Sequence, residues 1–180
     1  MNTTEAVDLI AGAIPRQSGT WADLGAGSGT FTRALARLLD PTSRIYAVDR
    51  DRRAVELLRR SSAKGAPPIV PVLADLTQPF ELPGLDGTLL DGILVANTLH
   101  FLRDAEAVLA RLVADWVRAR GRVVLIEYDR RAASRWVPYP IPIARLPALA
   151  QSAGLSTPAI TATRPSAFGG TLYVAAADRL

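Results

Sequence analysis

Asp23-Leu24-Gly25-Ala26-Gly27-Ser28-Gly29-Thr30-Phe31 is the stretch that decides the fold. It begins inside Thr20-Trp21-Ala22-Asp23-Leu24, an apolar run of strand length. It leads into Phe31, Ala34, Leu35, Leu38 and Leu39, which recur at helical spacing up to Asp40-Pro41. The glycines let the backbone turn tightly and let a ligand approach closely. The helix behind them presents unpaired N–H groups to a carboxylate or phosphate. The spacing is G-x-G-x-G, at Gly25, Gly27 and Gly29. A dinucleotide fingerprint, G-x-G-x-x-G, would place its third glycine where Thr30 stands. Asp23, at the strand end, could accept hydrogen bonds from an ammonium group, so the loop suits a zwitterionic ligand.

The same alternation continues outward. Upstream, Thr4 is a candidate cap for a first helix that carries Val7, Ile10, Ala11 and Ile14 and stops at Pro15. Downstream, Arg44 to Val48 reads as a second strand, and Asp51 caps a helix with Ala54, Val55 and Leu58 that ends near Gly65. Ile69 to Leu73 reads as a third strand, and Pro71 inside it predicts an edge position. A loop from Asp75 to Thr88 leads to a fourth strand, Asp91 to Ala96. A helix is expected from Asp104 to Arg118, ended by Gly121, followed by a fifth strand from Arg122 to Tyr128. A short helix over about 143–153 with Gly154 as its cap precedes two strands, about 158–164 and 171–177. Five strand–helix repeats with continuous apolar strands imply a parallel sheet covered on both faces. The expected fold is therefore α/β, a doubly wound, Rossmann-like mixed sheet of seven strands. It is mostly parallel, with an antiparallel C-terminal strand pair and helices on both faces.

Two further acids follow strand ends. Asp49, in Val48-Asp49-Arg50, lies beside the glycine loop in such a fold and can take both hydroxyls of a ribose. Its competing role is to cap the next helix, which Asp51 already serves. Asp75, in Ala74-Asp75-Leu76, could accept from an adenine amino group while the Leu76 N–H donates to the ring. Its competing role is that of an ordinary turn residue.

Taken in order, these residues resemble the class I S-adenosylmethionine-dependent methyltransferases of the small, minimally decorated type that acts on small molecules. The likeness runs from about residue 18 to 178. It implies one domain over 1–180, with an N-terminal helix at 1–17, a cofactor-binding half at 18–128 and a substrate-side half at 129–180. It implies S-adenosylmethionine as cofactor and S-adenosylhomocysteine as product. Gly25, Ala26, Gly27 and Gly29 would line the methionine moiety, with Asp23 near its amino end. Asp49 would hold the ribose, Arg50 would lie against the adenine, and Asp75 and Leu76 would read the adenine edge. Asn97, ending the fourth strand, would sit beneath the methionine amine. His100 is the candidate catalytic base for direct in-line transfer to an O, N or C nucleophile, against the plainer role of a packing histidine. Glu127, Tyr128 and Tyr139 are further acceptor-site candidates.

Composition narrows the chemistry. The 180 residues include no cysteine and one histidine, which removes a thiolate nucleophile, Cys-ligated zinc and iron–sulfur clusters. No metal is expected. Lys+Arg is 21 against 17 Asp+Glu, a net charge of +4, and Lys64 is the single lysine. The basic residues read as a mixed surface, so nucleic acid is not favoured as partner, although Arg130, Arg131 and Arg135 leave an RNA methyltransferase as the alternative. A non-catalytic cofactor-binding or partner subunit is the other alternative. Asn97-Thr98-Leu99-His100 stands where enzymes that methylate adenine or glutamine amides carry Asn/Asp-Pro-Pro-aromatic. No run approaches the about 20 apolar residues of a membrane helix, so a cytoplasmic setting is expected. With so few added segments, the lid must come from the first helix, from 129–142 (Trp136, Pro138, Tyr139, Pro140, Pro142), or from a second copy in a homodimer. That segment's aromatic content suits a planar or lipophilic acceptor; its other role is a crossover packing on the sheet.

Overall fold

The computed structural model describes residues 1–15, 17–60, 65–167 and 169–180. Lys64 and the expected run of the third helix toward Gly65 lie outside the described residues. The elements are α1 (Thr3–Ile10), β1 (Thr20–Leu24), α2 (Thr30–Leu38), β2 (Arg44–Asp49), α3 (Arg52–Arg59) and β3 (Ile69–Leu73). There follow β4 (Leu90–Ala96), α4 (Ala105–Trp116), β5 (Val117–Asp129), α5 (Leu146–Ser152), β6 (Ala159–Pro165) and β7 (Thr171–Asp178).

The strands form one seven-stranded sheet in the order β3-β2-β1-β4-β5-β7-β6. β1 pairs in parallel with both β2 and β4, β2 with β3, and β4 with β5. β7 runs antiparallel between β5 and β6. The order reverses between β1 and β4, the place where doubly wound sheets open a crevice at their strand ends. β3 lies at the sheet edge, where the missing N–H of Pro71 costs no internal ladder bond.

Alternation along the strands assigns the helices to faces. On β2, Tyr46 and Val48 belong to the core shared with Leu109 and Leu112 of α4 and Leu146 and Leu149 of α5. Ile45, one residue before Tyr46 and so on the other side of the pleat, belongs to the opposite core with Ala6 and Ile10 of α1 and Phe31 and Leu35 of α2. Ala47, on that same side, packs on Leu58 of α3. Both faces are thus dry, as the continuous apolar strands require.

Two local expectations are corrected. Asn2, not Thr4, caps α1: its side chain accepts from the Glu5 N–H while Glu5 reaches back to the Asn2 N–H, a reciprocal box. Gly121 does not end α4. The helix stops at Trp116, and β5 begins at Val117 because Val117 pairs with Leu90 of β4. Arg118 then anchors to Asp91 at 2.7 Å. Gly121 lies inside β5, where a Cβ would stand 2.8 Å from the Arg118 carbonyl oxygen, so close backbone approach explains the glycine.

Candidate functional site

The glycine loop is fastened to the end of β2. The Gly25 and Ala26 N–H groups both donate to the Val48 carbonyl, at 2.8 and 3.0 Å. The Gly27 N–H donates to Asp49 Oδ2 at 2.7 Å. Gly25, Gly27 and Gly29 all have φ in the left-handed region, at 84°, 51° and 84°. At Gly25 a Cβ would collide with Thr98; at Gly27 it would meet nothing within 4 Å. Gly27 therefore keeps an open cradle, and Gly25 keeps room for the residue that follows β4. Gly29 serves as N-cap of α2 with no side-chain cap, and a Cβ there would meet Leu58 of α3.

Beside this loop lies a cleft of about 290 Å³. Along the sheet order β3-β2-β1-β4, it is lined by Asp75 and Leu76 after β3, Asp49 and Arg50 at the end of β2, Gly25 and Gly27 after β1, and Asn97 after β4. Seven of the residues expected to bind the cofactor are thus brought together. Asp49 also receives the Asp51 N–H on Oδ1, at 2.8 Å, while Asp51 itself caps α3. Each Asp49 oxygen holds one backbone donor and keeps lone-pair capacity for a hydroxyl. Asp75 accepts from the Thr77 N–H and hydroxyl through Oδ1, which holds its carboxyl below the usual range. It is therefore a turn residue and a cleft residue at once.

Asp23, Ala26 and Gly29 are not among the residues that line the cleft. Asp23 is fully buried; Oδ2 accepts from the Thr32 hydroxyl at 2.6 Å and Oδ1 has no partner. Burial pushes its carboxyl up to about 7 from 3.8. It supports the loop from behind. Ala26 packs against Ala47 and Leu58 in the core between sheet and α3.

Asn97 is held in the left-handed region at φ 51°, and its side-chain Oδ1 is buried without a partner. Its N–H donates to the Ile126 carbonyl, tying the end of β4 to β5. A strained residue with an orphaned acceptor at a cleft wall fits a ligand donor such as an ammonium group. Open backbone at Gly27, hydroxyl-accepting capacity at Asp49 and the unpartnered Asn97 oxygen lie along the same cleft.

A second cavity, about 510 Å³, opens on the other side of Asn97. His100, Phe101, Tyr128, Arg131 and Trp136 line it. His100 is buried, and its Nδ1 lies 2.5 Å from Glu127 Oε2; its backbone N–H donates to Glu127 Oε1 at 3.3 Å. The pairing of Nδ1 with Glu127 fixes the ring's orientation and leaves Nε2 as the nitrogen not engaged by Glu127. The 129–142 segment forms the far wall. The Tyr139 N–H bonds the His100 carbonyl, the Ile143 N–H bonds Asp129, and the Tyr173 hydroxyl bonds the Ile141 carbonyl at 2.7 Å. The first helix, expected as an alternative lid, gives no residue to this cavity; its apolar face is spent on α2 and the sheet. Thr98, Phe101 and Leu102 line the first cleft without having been singled out; they follow Asn97 directly. The signal for the His100–Glu127 pair was a lone carboxylate in the apolar run Val123-Val124-Leu125-Ile126-Glu127. Among the described residues no cluster of three or more His, Asp or Glu could hold a metal ion, and no helix is long and apolar enough to cross a membrane.

The switch-point crevice with a glycine loop and a paired acid defines a protein that binds a nucleotide-type cofactor. The model of the methyltransferase domain family matches residues 22–123, more than half of the chain, and the chain belongs to that family, within the class I S-adenosylmethionine-dependent methyltransferases. It is similar to the release factor glutamine methyltransferase of Thermosynechococcus vestitus, 39% identical over 66 residues, which are 36% of this chain and 22% of that protein. The matched stretches span 22 to 29% of the curated relatives' own lengths. Two solved structures share the fold. One is an S-adenosylmethionine-dependent methyltransferase from Aquifex aeolicus (TM-score 0.71, 14% identity, 99% of this chain and 89% of that one). The other is the N-methyltransferase NodS from Bradyrhizobium japonicum (TM-score 0.72, 17% identity, 98% and 93%).

Proposed function

We propose that this chain transfers the methyl group of S-adenosylmethionine directly to an O, N or C nucleophile of a small molecule. The observation that carries the reading is that the first cleft and the second cavity share Asn97 and Phe101. A ligand in one therefore abuts a ligand in the other, the requirement for in-line transfer. When bound, the cofactor supplies a methyl group on a sulfonium, already a good leaving group. Asp49 would receive the ribose, Asp75 and Leu76 the adenine edge, Arg50 the adenine face and Asn97 the amino group. Gly25 and Gly27 would line the methionine chain, while Asp23, Ala26 and Gly29 hold the loop that does so.

His100 would act as base through Nε2 where the acceptor holds a proton, with Glu127 as its positioning residue. A cavity of about 510 Å³ is in the range of small-ligand pockets, which supports a small acceptor over a polymer. The same proposal includes a cytoplasmic setting and, as an open assembly, a homodimer. The test is calorimetric titration with S-adenosylhomocysteine, followed by labelled cofactor and a metabolite extract read by mass spectrometry. Tight binding and one labelled product are expected; binding without any labelled product would favour a non-catalytic subunit instead.

A further inference from the structure

Two residues, Asn97 and Phe101, line both the cleft and the second cavity. Asn97 offers an unpartnered oxygen. Phe101 offers a ring. It ends the short turn Leu99–Phe101 that follows β4. Leu99 and His100 in that turn are buried, whereas Phe101 is 47% exposed. The turn is fixed by its backbone. The Phe101 N–H donates to the Thr98 carbonyl at 3.1 Å, and the Tyr139 N–H donates to the His100 carbonyl at 2.9 Å. The Phe101 ring packs on the His100 ring, centroids 4.4 Å apart and planes inclined at 46°. Leaving a large apolar ring half open forgoes part of the stabilisation that burial would give. The ring is therefore held at the shared wall by its turn and its neighbour, not by the core.

The acids of the cleft stand elsewhere. Asp49 ends β2 and Asp75 follows β3, on the side of β1 away from β4. Among the described residues no Asp or Glu lines the second cavity. Glu127 is buried, with one oxygen on the His100 ring and the other on its N–H. A sulfonium is a compact cation with no N–H or O–H to donate, so a conventional hydrogen bond cannot hold it. The negative face of an aromatic ring attracts such a cation, as it does a quaternary ammonium group.

We propose that the Phe101 ring recognises the sulfonium charge of the bound cofactor and so separates S-adenosylmethionine from its neutral product. This rests on the reading that the cofactor occupies the cleft and gives its methyl group across the wall shared with the second cavity. The charge exists only before transfer. When the S–CH3 bond breaks, its electron pair stays on sulfur, the methyl group bonds the acceptor's lone pair, and sulfur becomes a neutral thioether. The product then keeps only the contacts common to both ligands. Because the charge is already dispersing in the transition state, the ring acts on affinity and product release rather than on the chemical step.

Binding reads this without turnover. With no acceptor present, the full chain is titrated calorimetrically with S-adenosylmethionine, S-adenosylhomocysteine and sinefungin, in which a carbon bearing an ammonium group replaces the methylated sulfur. Phe101→Leu keeps an apolar side chain but no ring face, and Phe101→Tyr restores the face. In Phe101→Leu the dissociation constants of the two cations should rise about three- to thirtyfold. That of S-adenosylhomocysteine should stay within twofold, which also reports that the variant is folded. Phe101→Tyr should return the cations to within twofold of the unaltered chain. The proposal is overturned if all three ligands weaken by the same factor, if none weakens, or if Phe101→Tyr loses the cations as Phe101→Leu does. Asp49→Ala separates this from the cofactor reading, since it should weaken all three ligands. If it does so while Phe101→Leu fails to discriminate, only the role of Phe101 falls. If the unaltered chain binds none of the three, that role and the cofactor reading fall together.

Discussion

Gly25 and Gly27 sit two residues apart in the same loop, yet substitution by alanine should do different things to each. At Gly25 an added Cβ would stand 2.6 Å from Thr98 Cγ2 and 2.9 Å from Thr98 Cβ, with Thr98 Oγ1 nearer still. The left-handed φ of 84° costs an alanine about 1–2 kcal/mol. Forcing a buried contact apart adds about 1–3 kcal/mol. The total, about 2–5 kcal/mol, lowers Tm by about 4–20 °C for a chain of this size. At Gly27 only the conformational part applies, since nothing lies within 4 Å. Gly27→Ala should therefore lower Tm by about 2–8 °C. It should also cost S-adenosylhomocysteine affinity, because its methyl enters the space left for the ligand. The assay is thermal unfolding beside calorimetric titration. A second-site change sharpens it: Thr98→Ala removes Oγ1 and Cγ2 and should return about 1–2 kcal/mol to Gly25→Ala. Equal melting temperatures for the two glycine variants, or no recovery in Gly25→Ala/Thr98→Ala, would refute the steric argument.

Three other outcomes are expected. Asp49→Ala should weaken S-adenosylhomocysteine binding at least tenfold by calorimetry, since it removes the proposed ribose acceptor and releases the Gly27 N–H; unchanged affinity would remove the ribose role. Asp23 is raised to about 7 when folded, against 3.8, so the native state binds its proton more tightly and stability falls as pH rises from about 4 to 7. Asp23→Asn should thus be more stable than the unaltered chain at pH 8, by up to about 4 kcal/mol at about 1.4 kcal/mol per pH unit. That advantage should shrink to nothing near pH 4 in urea melts; an advantage independent of pH would contradict the buried-carboxyl account. Glu127→Gln should lower kcat at least tenfold with KM little changed, and His100→Gln should lower it at least as far, once an acceptor is in hand. A shift in KM alone would make the pair a packing feature.

Much of the fold was legible because its signals are local. β1 follows from a strand-length apolar run, the loop from three glycines, and the edge place of β3 from Pro71. The junction of α4 and β5 was not legible. Trp116 and Val117 continue the apolar stripe of the helix, and only the pairing of Val117 with Leu90 of β4 turns the chain into a strand there. The pattern around Gly121 looks like a helix stop, but the glycine answers a backbone contact inside the strand. In the site, Asp49 and Asp75 could be expected at one crevice because a doubly wound sheet brings successive strand ends together, whereas Asn97 was expected there from the family resemblance. Asp23 was read as a ligand group; its burial against Thr32 depends on how α2 packs on β1.

From its residues alone the chain determined the order of strands and helices, the glycine loop, the acids at the strand ends and the absence of cysteine chemistry. Those properties follow from periodicity and from conformations that few residues can adopt. Only the tertiary structure decided which oxygen of which acid is already occupied, and that His100 meets Glu127 across 27 residues. It also decided that Asn97 and Phe101 stand at the wall shared by the cleft and the second cavity. Such contacts depend on distance in space, and the sheet sets them by placing β4, β5 and the segment after β5 side by side.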